Sequence, residues 1–153
     1  MMPRFKFRFS SLLKHRRRIE QDRRRQLAGH LRTQMILRNQ LRTMQQSITA
    51  SKQEAADLLV GKVDVDAISR MGAYASHTQL RGQRIVMKLA SLERDIHQSR
   101  ANLLDATRQR KALELLRQKH FEAWKTEQQR KEMRELDDLA NSAYVRRMIG
   151  GAV

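Results

Sequence analysis

The chain has 153 residues, with 32 Lys/Arg against 16 Asp/Glu for a net charge of +16, 40% hydrophobic and 5% aromatic residues, one proline and no cysteine. That composition excludes disulfides and thiolate metal sites, and it argues against a broad globular core. The charge is uneven, with 13 Lys/Arg and 2 acids in residues 1–46, which implies a partner with an acidic surface.

At the N-terminus, charged residues interrupt Phe5, Phe7 and Phe9, so no signal-peptide core forms, and no run approaches the ~20 apolar residues that span a bilayer. A soluble, intracellular protein is expected. "RFKFRFSSLL" mixes basic and aromatic residues as a membrane-surface segment does; Phe9, Leu12 and Leu13 read more simply as the start of an apolar seam. Steps of three and four from Phe9 give Leu13, Arg16, Glu20, Arg23, Leu27, His30, Gln34, Leu37, Leu41, Met44, Ile48, Ser51, Ala55 and Leu58. Nine of these fifteen positions are apolar, a stripe as narrow as a coiled-coil seam. Leu31 and Met35 lie beside it, which predicts a register shift there.

A turn follows at 61–66, where Gly61 suits a helix C-cap and Asp64 or Asp66 an N-cap. Gly72 and Gly82 are poor helix residues, so a separate short tip helix is expected over 67–82. A second seam runs Ile85, Leu89, Leu92, Ile96, Ser99, Leu103, Ala106, Arg110, Leu113, Arg117, His120 and Trp124. Neither seam is wide enough to be buried alone, so the two predict one all-α, elongated antiparallel coiled-coil hairpin. Its N-terminal helix covers about 8–60 and its C-terminal helix 83–147, with the tail unpaired from about 119. Past that point the apolar residues move to Met133, Leu136, Leu139, Ala140 and Ala143, a new stripe that awaits a partner.

Catalysis needs convergent groups in a dry pocket, and a two-helix hairpin supplies none, so the chain reads as non-enzymatic and without cofactors. The five histidines never fall at i, i+4, which removes the HExxH type of zinc site. Asp64 and Asp66 read as caps rather than metal ligands. The arginine triplets Arg16 to Arg18 and Arg23 to Arg25 suit nucleic acid by charge. Aromatic interleaving nevertheless stops at Phe9, and zipper-type DNA binding needs a parallel seam. A solvated basic helix face is the plainer reading. Arg16 and Arg23 fall on the first seam, opposite Arg110 and Arg117 on the second. Four unpaired guanidinium groups cost several kcal/mol each to bury, so this end is expected to be splayed, hydrated or occupied by a partner's acids.

"FRFSSLLKHRRRIEQDRRRQLA" at 7–28 resembles the N-terminal signature of the flagellar export protein FliJ family, carried here by Phe7, Arg8, Leu12, Leu13, Arg16, Glu20, Leu27 and Ala28. "KEMRELDDLANSAYVRR" at 131–147 is similar to that family's C-terminal signature through Glu135, Leu136, Asp137, Asp138 and Ala140. The resemblance implies an antiparallel coiled coil like the central stalk of rotary ATPases. It further implies three partners: the hexameric export ATPase, the membrane export gate and export chaperones. The free ends would enter the ATPase ring and the hairpin side would face the gate. On that basis Arg16, Arg17, Arg23, Trp124, Leu136 and Leu139 are expected on the ATPase side, and Tyr74, His77 and Arg81 on the gate side. A cytoplasmic monomer is implied, held at the inner face of the cell membrane only through its partners and without nucleic acid. The sequence departs from the pattern in its lone tip aromatic, Tyr74, and its arginine-rich first arm. A needle-type secretion stalk and a basic nucleic-acid-associated coiled coil remain the alternatives.

Overall fold

The computed structural model describes residues 3–151. Two helices, α1 (Ser10–Leu58) and α2 (Val65–Gly150), form an antiparallel hairpin, and no strand occurs among the described residues. The turn follows local chemistry. Leu59 and Val60 donate their N–H groups to the Ala56 and Asp57 carbonyls at 3.3 and 3.2 Å, and Gly61 takes φ 96°, where a side chain would be strained. Asp64, rather than Asp66, is the N-cap, since its Oδ1 accepts the N–H groups of Asp66 at 3.0 Å and Ala67 at 3.2 Å.

The separate tip helix expected over 67–82 is not separate, because α2 runs through Gly72 and Gly82 without a break. Each glycine costs about 1 kcal/mol of helix propensity, and packing of the same stretch offsets it. Ile68, Met71, Ala75, Thr78 and Gly82 continue the second seam backwards in the same three-and-four steps, and all are buried or half-buried. At Gly82 an added Cβ would lie 4.0 Å from Leu41 Cδ2, an ordinary contact distance, so this position of α2 faces Leu41 of α1.

All fifteen positions of the first seam, Phe9 to Leu58, are buried or half-buried. The expected register shift does not occur: Leu31 and Met35 are exposed while Gln34 and Leu37 stay on the seam.

The chain packs as two compact units. The hairpin unit, Glu20–Ala106, is centred on Ile85, Leu92, Ile96 and Ala106, with Ile96 only 2% exposed. In it Gln34 Nε2 donates to Glu93 Oε2 at 3.0 Å, while Leu41 faces Gly82, as antiparallel pairing requires. The terminal unit joins the chain up to Ile19 with the chain from Thr107 on, and its buried apolar residues are Phe7 and Leu13.

Here residues 3–7 are not helical, and exposure alternates, with Phe5, Phe7 and Phe9 turned inward and Lys6 and Arg8 outward. That two-residue period belongs to an extended chain. Such a chain covers up to ~3.3–3.6 Å per residue against 1.5 Å for a helix. It therefore reaches farther along α2 than seam counting allowed, and the tail is not unpaired from 119, since Phe5 packs on Phe121 and Trp124. From Gln129 to Gly150 every residue is exposed.

Candidate functional site

In the terminal unit the extended segment lays its rings against α2. Phe5 meets Phe121 edge-on at 5.4 Å between centroids and Trp124 at 5.8 Å, and Phe121 stacks on Trp124 at 5.9 Å. Phe7 packs edge-on against Phe9 at 5.8 Å and against His120 at 5.7 Å. The Arg8 guanidinium lies 5.8 Å above the Phe9 ring, a cation–π distance. Aromatic pairs of this kind hold a segment that has no helical hydrogen bonds of its own.

Of the seam arginines in this unit, Arg16 and Arg110 find partners, while Arg117 is exposed. Arg16 Nη1 donates to Gln109 Oε1, and Glu114 receives Arg17 Nη2 at 3.1 Å on one oxygen and Arg110 Nη1 on the other. Glu114 lies beside the second seam rather than on it, so seam positions alone could not reveal the carboxylate that bridges Arg17 and Arg110. A 530 Å³ groove opens between Phe5 and Phe121 on its apolar side and Arg17, Arg117, Gln118 and Glu114 on its polar side. Such a groove suits a partner's apolar side chain with an acidic neighbour.

Burial pushes the Glu114 carboxyl up, but the hydrogen bonds and charges of Arg17 and Arg110 outweigh it and hold the group below the usual carboxylate range. Its folded value is depressed, so its contribution to stability is complete above the ordinary glutamate value. That contribution is lost as pH falls through the folded value. Hydrogen exchange over residues 107–128 is expected to accelerate as pH is lowered below about 4.3, after correction for intrinsic rates. In Glu114→Gln this extra step should disappear; an identical pH profile in the variant would mean that the carboxylate does not hold the unit.

Of the residues expected on the ATPase side, Arg16, Arg17 and Trp124 lie in this unit. Leu136 and Leu139 lie in its uncovered tail, 62% and 67% exposed. Arg23 belongs to the hairpin unit, where its Nη1 donates to Gln26 Oε1 at 3.2 Å. Sequence reasoning missed Phe5, Phe7, Phe121 and Glu114; the alternation of phenylalanine with Lys6 and Arg8 was the available signal for the first two.

The three residues expected on the gate side are brought together. Tyr74, His77 and Arg81 sit at i, i+3 and i+7 on one face of α2 and line a 660 Å³ groove whose other wall is Ile36, Thr43, Met44 and their neighbours on α1. Smaller hollows continue it past Arg70 and Met71 on one side and Leu80 and Arg84 on the other. Tyr74 and Ile36 are about half exposed, so this strip joins apolar contact area to a basic rim. Among the described residues no cluster of three or more His, Asp or Glu is placed to hold a metal.

A family model described as Flagellar FliJ protein matches residues 5–148. Comparison with curated proteins gave no match, and comparison with solved structures gave none.

Proposed function

The chain belongs to the flagellar FliJ protein family, and from that premise we propose that it is the stalk of a flagellar export apparatus, coupling the export ATPase ring to the export gate and assisting export chaperones. The coarser role, an export-related flagellar component, comes with the family. The observation that most favours the finer one is the terminal unit, where an aromatic and arginine-lined groove leads into a helix uncovered from Gln129 to Gly150. A lone α-helix with side chains is ~10–12 Å across, narrow enough to enter a ring of subunits.

In this reading Arg16, Arg17, Arg23, Trp124, Leu136 and Leu139 meet the ATPase, while the strip of Tyr74, His77 and Arg81 meets the gate. The chain acts singly in the stalk, as an accessory rather than an enzyme, in the cytoplasm at the inner face of the membrane. It reaches the membrane through its partners; among the described residues no helix is long and apolar enough to cross one.

Co-purification with the export ATPase tests the reading, with stimulated nucleotide hydrolysis as the second readout. The native chain should co-elute and stimulate. Arg16→Glu with Arg23→Glu should weaken binding about tenfold or more, because charge reversal at a complementary interface is costly. Both side chains bond only neutral amides in the hydrogen bonds described above, so helix content should be retained. A native chain that neither binds nor stimulates the ATPase would remove the proposal.

A further inference from the structure

The tail carries a pattern of its own. Between Gln129 and Gly150 every position of α2 is exposed, including Met133, Leu136, Leu139 and Tyr144 at 61–67%. A single helical stretch of this length, without a neighbour, is marginal in water. Met133, Leu136, Leu139, Ala140 and Ala143 share one side of the helix. The acids Glu132 and Glu135 lie at the start of this stripe, and Arg146 and Arg147 at its end.

That order is complementary to itself in one orientation only. If two tails run antiparallel, Glu132 of one meets Arg146 and Arg147 of the other. Leu136 then meets Ala143, and Leu139 meets Ala140 beside the two-fold axis. In these two central pairs a large side chain faces a small one, which lets the helices approach closely. A parallel pair would set acid against acid and arginine against arginine.

We propose that two copies of this chain associate reversibly and antiparallel through residues 132–147 of their tails. The contact is isologous and closes as a two-fold dimer. It covers Leu136 and Leu139, which the stalk reading assigns to the ATPase, so the dimer and the docked stalk exclude each other. Self-association then masks the tail of a chain that is not engaged. The dimer goes beyond the export reading and needs no other protein, so the two stand or fall separately.

The paired stretch is short, about 24 Å at 1.5 Å per residue, and the association is correspondingly weak. Sedimentation equilibrium of the full chain over about 5–500 µM should fit a monomer–dimer equilibrium. Glu132→Arg with Glu135→Arg should weaken dimerisation about tenfold, as should Arg146→Glu with Arg147→Glu. All four substitutions in one chain should restore it, because opposite charges again face each other. Leu136→Asp with Leu139→Asp should be monomeric throughout. A native chain that stays monomeric across the range would overturn the proposal. So would a dimer that survives the half-swaps, or one that the full swap fails to rescue.

Discussion

Replacing Ile96 by alanine is expected to lower the unfolding free energy of the hairpin unit by about 2–4 kcal/mol. Ile96 is the largest fully buried side chain among the described residues, and its neighbours on the seam, Leu92 and Ser99, are buried too. A two-helix unit has no third layer to move into a cavity, so the lost contacts are poorly recovered. Leu104→Ala provides the control: with Leu104 about half exposed, its loss should cost under about 1 kcal/mol. Urea unfolding followed by circular dichroism, with hydrogen exchange to assign the change to residues 20–106, measures both. Equal effects of the two substitutions would mean that the seam is not the source of stability.

Phe5→Ala with Phe7→Ala should release the extended N-terminal segment while leaving α1 and α2 helical. Phe7 is 8% exposed and makes two ring contacts, and Phe5 makes two more. Buried phenylalanine truncations cost about 3–5 kcal/mol in full cores. The terminal unit is open on one side, so a figure near or below the lower end is expected. Trp124 is the only tryptophan and packs on Phe5, so its emission should move to longer wavelength as water reaches it. Arg4, Lys6 and Arg8 are exposed in the same segment, so trypsin should remove it faster from the variant than from the native chain. Unchanged emission together with unchanged cleavage would show that the rings do not fasten it.

The fold was legible wherever the sequence spoke at helical spacing. Each member of the series from Phe9 to Leu58 is buried or half-buried, because in a two-helix hairpin only one narrow stripe per helix can be covered. Leu31 and Met35 mislead because hydrophobicity alone is no sign of burial, and a basic helix carries exposed apolar residues at little cost. The stretch Ile68 to Gly82 was missed for the opposite reason. Its seam positions include Ala75, Thr78 and Gly82, small or polar residues that carry little hydrophobic signal although they are buried or half-buried.

The candidate site was legible only in part. Tyr74, His77 and Arg81 fall together because helical spacing alone puts them on one face. Arg16 and Arg110 were rightly placed near a charged end, but their partners Gln109 and Glu114 lie off the seam, and a series of seam positions does not see them. Phe5 and Phe7 precede the helical series that begins at Phe9, so a rule of three-and-four steps says nothing of them, and their two-residue spacing is that of an extended chain.

The turn has a practical consequence for testing these surfaces. Leu59 to Asp64 are exposed throughout, and the two helix ends are held by Gly61 and by the Asp64 side chain. An epitope inserted after Lys62 leaves both caps in sequence with their helices, and exposed loop tips tolerate insertion well. A purification handle ahead of Phe5 or beyond Gly150 would instead crowd the aromatic groove or the uncovered tail. Labelling through the turn keeps both of those surfaces native, so a change in ATPase binding or in dimerisation reports the substituted residues and not the handle.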